Sequence, residues 1–201
     1  MPKIVDEQMR EATRSRILHE AASEFSRLGF DEANINTIAE QAGIGKGTIY
    51  LYFENKREVF LAMLRHIAHS QLATVRAALA TEGTLQQRIE RLFRAFVHLA
   101  EEESDTFNVY MSALYGVNRA FQDEATKLLR SYVTVIALVL EEGRERGELE
   151  CTDIESTALM VLSLTESFVL SARVLGQSER EINKQAEYVA QFVLQGIGTK
   201  P

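Results

Sequence analysis

An all-α fold of about nine helices is what this sequence predicts, and three observations carry that expectation. The 201 residues contain only 2 prolines, so few positions forbid a helix interior. Alanine, leucine, glutamate, arginine and glutamine are abundant, and all are strong helix formers. Apolar residues recur three and four positions apart along most of the chain, and runs of alternating β-branched residues are few.

The elements follow in order. Over residues 14–28, Ile17, Leu18, Ala21, Ala22, Phe25 and Leu28 fall on one helical face. Gly29 stands where that helix should stop, with Phe30 able to fold back onto the last turn. Asn34 or Asn36 can cap a short second helix over Thr37–Ala42, which Gly43 ends. A third short helix fits Lys46–Phe53. Asn55 and Glu58 form an asparagine version of the capping box, opening a long helix through Val59, Phe60, Met63, Leu64 and Ile67. Five further helices are expected over Leu85–Glu102, Phe107–Tyr115, Ala120–Arg146, Ile154–Leu175 and Glu181–Gln195. Ile154–Leu175 is apolar enough to raise the question of a membrane span, but Glu166 at its middle and Arg173 near its end make that costly. Burial among neighbouring helices or against a second copy of the chain is the expected outcome, with no membrane partner.

Composition narrows the function. Cys151 is the single cysteine and has no internal disulfide partner, which suits a reducing cytoplasm. The charged stretch from Met1 to Arg10 has no apolar segment of the kind a secretory signal needs. The net charge of −7 argues against nucleic-acid binding taken over the whole chain. The acidity is uneven: residues 1–57 hold 8 Lys/Arg against 9 Asp/Glu, and the remainder 14 against 20. A near-neutral N-terminal part can still bind phosphate if its cations share a face.

The stretch "AGIGKGTIYLYFENKREVF" (42–60) gathers glycines, aromatics and cations. A nucleotide phosphate loop would need glycine at 40 and a hydroxyl at 47, where Glu40 and Gly47 stand, and a strand before it. A helix-turn-helix fits instead. Ala39 is small where two helices must approach, Gly43 supplies the turn, Ile49 anchors the second helix, and Ile38, Ile44 and Phe53 complete the wedge. An ordinary helical hairpin with a glycine turn shares that bare spacing. Lys56 and Arg57 open the next helix, where cations oppose the helix dipole unless an anion docks there. Arg14 and Arg16 begin the first helix and are further candidates to face a phosphate backbone.

Residues 14–60 resemble the DNA-binding domain of tetracycline-repressor-type (TetR family) transcriptional regulators, through Ile17-Leu18, Ala21-Ala22, Gly29-Phe30, Ile38-Ala39, Ala42-Gly43, Gly47-Thr48-Ile49-Tyr50, Tyr52-Phe53 and Lys56. Gly45 and Ala33 depart from the hydroxyl residues common at those places, and Gly45 remains a permitted helix cap. The resemblance implies a helix-turn-helix domain over 10–56 and an effector-binding and dimerisation domain over 57–201. It implies a cytoplasmic homodimer that binds a double-stranded DNA operator and is released by a small hydrophobic or amphipathic effector. By the same resemblance Asn36, Thr37, Lys46, Gly47, Thr48, Tyr50, Tyr52 and Lys56 contact DNA: Thr48, Tyr52 and Lys56 at phosphates, Lys46, Gly47, Tyr50 and Asn36 toward base edges.

The aromatic-rich segment 89–121 and the helix at 157–175 supply expected effector-pocket residues Phe93, Phe96, Phe107, Tyr110, Met111, Tyr115 and Phe168. A helical core would use the same residue types. Leu162, Val169, Leu170, Val189 and Phe192 are the expected dimer-interface residues, on the last two helices. No cofactor or metal site is expected. His66 and His69 share a face by spacing but lack further ligands nearby. Without a Gly-x-Ser-x-Gly elbow, and with Cys151 in an acidic stretch that offers no cation to favour a thiolate, no catalytic residue is expected. A helical interaction module that does not read DNA, or a small-molecule enzyme, are the alternative functions.

Overall fold

The computed structural model describes residues 2–80, 82–116 and 119–198. Their helices are α1 (Pro2–Glu32), α2 (Ile35–Gln41), α3 (Lys46–Ile49), α4 (Lys56–Ala80), α5 (Leu85–Glu102), α6 (Ser104–Tyr115), α7 (Gln122–Glu145), α8 (Ile154–Val174) and α9 (Glu179–Gly198), with a 3-10 turn at Arg119–Phe121. Among the described residues there is no strand. The all-α expectation is therefore met.

Most boundaries differ from the sequence reading by one to three residues, as where α2 begins at Ile35 rather than Thr37 and α6 at Ser104 rather than Phe107, and the differences in α1 and α3 bear on the site. α1 begins at Pro2 rather than near residue 14, so the amphipathic stretch carries a polar helical extension. Its expected stop is present as a break: Gly29 takes φ 73° and ψ 177°, a conformation closed to most side chains, and one more turn follows. α3 is regular only over Lys46–Ile49 instead of reaching Phe53. Beyond Ile49 the Leu51 and Tyr52 N–H groups donate to Thr48 O and Ile49 O, three residues back, which tightens the helix into turns.

Contacts along the chain sort into two compact units: Met1–His69 with Ser104–Thr126, and Ser70–Glu103 with Lys127–Pro201. In the first, α1 packs against both α2 and α6, and α2 against α3. Phe25, Phe30, Phe60 and Phe121 form a ring cluster at the Gly29 break, with centroids 4.8 Å apart for Phe25–Phe60 and 4.1 Å for Phe60–Phe121. In the second unit α5 lies between α8 and α9, which also touch each other. Ile89, Leu92, Phe93 and Phe96 from α5 meet a core that holds Val161 and Leu162 of α8 and Ala186, Val189 and Ala190 of α9, all buried. Gly143 of α7 sits so close to Leu85 that a Cβ there would lie 2.6 Å from Leu85 Cδ2.

Helix ends in this unit are closed by side chains. Thr84 and Gln87 make a reciprocal capping box at α5, and Asp153 accepts from the Ser156 N–H at α8. Ile154–Val174 is, among the described residues, the one helix long and apolar enough by length and composition to cross a membrane. Its middle residue Glu166 is buried in the protein, as are Val161, Leu162, Thr165 and Val169 around it.

Candidate functional site

The helix-turn-helix is built as the spacing predicts. Asn34 rather than Asn36 caps α2: its Oδ1 accepts the Asn36 N–H at 2.9 Å, and its own N–H donates to Glu24 Oε1 at 3.1 Å. Glu24 is a buried carboxylate in the middle of α1, and it also accepts from Arg27 Nη2 at 2.7 Å. Such a charge is tolerated inside only with these donors, so α2 starts at one fixed place relative to α1. Gly43 has φ 67°, and the turn closes with the Ile44 N–H donating to Ala39 O at 2.9 Å. Ile38, Ala39, Ile49 and Phe53 are buried beneath it, while Ile44 is half-buried.

That buried wedge presents a surface. Asn36, Lys46, Gly47 and Tyr50 are exposed, and Thr37, Thr48 and Tyr52 are half-buried. Gly45 caps α3 by backbone conformation alone, and a Cβ added at Gly47 would meet no atom within 4 Å. The fold thus leaves Gly47 open where it does not need to be. Leu51, absent from the residues expected to touch DNA, is 73% exposed on the same surface. Its spacing of four from Gly47 is the signal that could have found it.

Two arginines of α1 brace this surface from the side. Arg10 lies 5.8 Å from the centre of the Tyr52 ring and Arg14 lies 5.6 Å from that of Phe53. Arg14 also pairs with Glu11 at 3.7 Å, and Arg16 is exposed.

The helix-start cations receive a different explanation from the one their position suggests. Lys56 Nζ donates to Asp31 O at 2.8 Å and to Ala33 O at 2.7 Å, and stands 5.0 Å from the Phe30 ring centre. Arg57 lies 5.4 Å from the Phe121 ring centre. These partners offset the unfavourable dipole within the protein itself, so the position of Lys56 at a helix start does not by itself call for a docked anion. The α4 cap is likewise shifted by a residue: Asn55 Oδ1 accepts the Glu58 N–H at 3.0 Å, while Glu58 reaches the N–H of Glu54 rather than that of Asn55.

The seven residues expected to line an effector pocket divide between the units. Phe93, Phe96 and Phe168 belong to the second, with Phe93–Phe168 centroids 6.4 Å apart and Phe96 edge-on to Tyr132 at 5.3 Å. Phe107 and Tyr110 are buried in the first unit, Met111 is half-buried there, and Tyr115 is 61% exposed. Sequence reasoning missed the polar groups beside the second set. Tyr132 Oη donates to Gln71 Oε1 at 3.0 Å, both fully buried, and Glu166 is buried as well. Burial above all, with the Glu166 and Glu103 carboxylates adding to it, pushes the Tyr132 phenol well above its usual pKa, so it stays a donor.

The expected dimer residues also need correction. Leu162, Val169 and Val189 are 0, 2 and 2% exposed, spent in the protomer's own core, and Leu170 is half-buried. Only Phe192, 55% exposed, faces outward. The outward large apolar residues of these helices are Leu159, Met160, Val174, Tyr188 and Phe192. His66 and His69 are both exposed, and among the described residues no group of three or more His, Cys, Asp or Glu could hold a metal.

A family model described as bacterial regulatory proteins, tetR family, matches residues 17–63, and one described as tetracyclin repressor-like, C-terminal domain, matches residues 82–170. The fatty acid metabolism regulator protein of Bacillus subtilis is 20% identical over 186 residues, covering 92% of this chain and 95% of that one. The transcriptional activator FasR of Mycolicibacterium smegmatis is 24% identical over 194 residues, 96% and 86% of the two chains. Among solved structures, the fatty acid degradation regulator FadR of Bacillus halodurans superposes with a TM-score of 0.78 at 21% identity, over 91% of this chain and 98% of that one. FadR of Bacillus subtilis in complex with stearoyl-CoA does so with 0.76 at 20% identity, over 91% and 98%. With both halves of its fold matched, the chain belongs to the TetR family and is a ligand-responsive, DNA-binding transcriptional regulator.

Proposed function

We propose that the protein is a cytoplasmic homodimeric repressor, without catalytic activity, metal or cofactor, that leaves a near-palindromic operator when an amphipathic small molecule binds its second unit. The observation that carries the DNA part is the exposed row Asn36, Lys46, Gly47 and Tyr50 held on buried Ile49 and Phe53. Lys46 and Asn36 offer donors to base edges, and Thr48 and Tyr52 offer hydroxyls to phosphates. Lys56 acts first as a clamp on the α1–α2 connection. The domain boundary near residue 56 belongs to this functional division rather than to the packing of α4.

The second copy would cover Met160, Val174, Tyr188 and Phe192, apolar side chains that a lone protomer leaves in water. An effector with an apolar chain suits an interior of Phe93, Phe96 and Phe168, and the Gln71–Tyr132 pair with Glu166 supplies polar groups that can fix its orientation. Acyl thioesters are the first class to try, because fatty-acid regulators recur among the relatives and one was solved with stearoyl-CoA.

The test begins with an operator selected from a random duplex pool by the full chain. Affinity should fall steeply between two salt concentrations while sequence discrimination persists. Stearoyl-CoA should then weaken operator binding by about 5–150-fold, and operator should weaken stearoyl-CoA binding by the same factor. An acyl thioester that binds the protein and leaves operator affinity unchanged refutes this effector class.

A further inference from the structure

We propose that Leu51 reads the 5-methyl group of a thymine in each operator half-site, an assignment that rests on the DNA-reading function above. Leu51 is 73% exposed, the most water-exposed large apolar side chain of the reading surface, between the buried anchors Ile49 and Phe53. It lies in the turn directly after the helix that carries Lys46 and Gly47, groups expected at base edges. The Leu51 N–H donates to Thr48 O at 3.1 Å and the Phe53 N–H to Ile49 O at 3.0 Å, so the chain keeps winding past the end of α3 in the tightened turn described above. Gly47 and Thr48 therefore lie about one turn before Leu51.

No atom lies within 4 Å of the place a Gly47 Cβ would occupy, so the Leu51 side chain does not fold back over the glycine. The surface thus carries bare backbone at Gly47 and an exposed apolar side chain at Leu51. Lys46, Thr48, Tyr50 and Asn36 can read hydrogen-bonding groups, and leucine can read none. In the major groove the base-edge feature that a purely apolar side chain recognises is the thymine methyl. Leu51 would give the surface sensitivity to T·A pairs that its polar neighbours do not supply.

The experiment uses the full chain and an operator it has selected from a random pool. Each thymine is replaced in turn by 2′-deoxyuridine, which removes the methyl and leaves every hydrogen-bonding group in place. Binding is followed by fluorescence anisotropy. One thymine per half-site should stand out, its replacement weakening binding about fourfold, and about fifteenfold when both half-sites are changed, the factor for one buried methyl-sized group. Leu51→Ala should melt like the wild type, bind the thymine operator more weakly, and no longer distinguish thymine from deoxyuridine at that position. Uniform indifference to deoxyuridine, a selected operator without a fixed thymine, or full discrimination retained in Leu51→Ala overturns the assignment. If salt-sensitive, sequence-specific binding persists in those cases, DNA reading stands and only Leu51 loses its role; if no sequence is selected, both fall.

Discussion

Gly47→Ala separates what the fold requires from what DNA requires. In the free protein an added Cβ meets nothing within 4 Å, and Gly47 lies inside α3 rather than at one of the positive-φ glycines. Replacing glycine by alanine in a helix lowers the chain entropy lost on folding and stabilises by up to about 1 kcal/mol. For a chain of this size that raises Tm by about 2–4 °C. Against DNA the sign reverses. If the backbone at Gly47 lies close to base edges, a methyl group there overpacks the contact at a cost of about 1–3 kcal/mol per reading helix. Thermal denaturation followed by circular dichroism and anisotropy titration of the selected operator measure the two effects on one sample. The expected variant is more stable and at least about fivefold weaker on operator. A variant that binds operator as tightly as the wild type would refute close backbone approach at Gly47.

Four further outcomes follow from the packing. Phe60→Ala should cost about 3–5 kcal/mol in urea unfolding, because Phe60 is buried and its ring meets Phe25, Phe30 and Phe121. Phe192→Arg should give folded monomers by analytical ultracentrifugation, whereas Val169→Arg should fail to fold, since the first side chain is outward and the second is core. Lys56→Met should lower stability by about 1–3 kcal/mol by leaving Asp31 O and Ala33 O without their donor; a salt slope of DNA binding reduced by one unit would instead put the ammonium on a phosphate. The hydrogen bond and charge of Arg88, 2.5 Å away, hold the Glu142 carboxyl below its usual range. Its contribution is therefore complete above the ordinary carboxylate pKa and is lost as pH falls through the lowered folded value. Glu142→Gln should flatten the acid limb of the stability curve by less than about 1 kcal/mol, because that carboxylate is largely in water.

Helices with one apolar face were legible in the sequence, and α5 has the boundaries that its periodicity predicts. The glycine turn at Gly43 and the anchors Ile38, Ala39 and Ile49 were equally plain, because local conformation and spacing specify them. α8 was not legible in the same way. It is apolar nearly all round, so periodicity could not tell Leu162 and Val169, which face α5 and α9, from Met160 and Val174, which face out. The partners of Lys56 were hidden for a related reason: a cation at a helix start signals an electrostatic need, but the carbonyls it reaches lie 23 and 25 residues earlier in the chain. Tyr132 and Gln71 are 61 residues apart, and neither carries a pattern that announces the other.

The Lys56 clamp has a mechanical consequence. By joining residue 56 to the carbonyls of residues 31 and 33, it closes the segment that carries α2 and α3 into a loop, a crosslink made of hydrogen bonds. Glu24, holding the amide of Asn34, is a second tie on the same loop. A loop tied at both ends resists local melting, because each opening must give up the tie before it gains chain freedom. A torque applied through α4 then arrives at the very residue that makes the knot, and is handed to α2 and α3 together. In the proposed release mechanism the reading surface would act as the bit of a key, turned out of register with its groove while its teeth keep their spacing. Release by the ligand should accordingly leave amide exchange in α2 and α3 nearly unchanged, with the altered quantity being the distance between the two reading helices of a dimer.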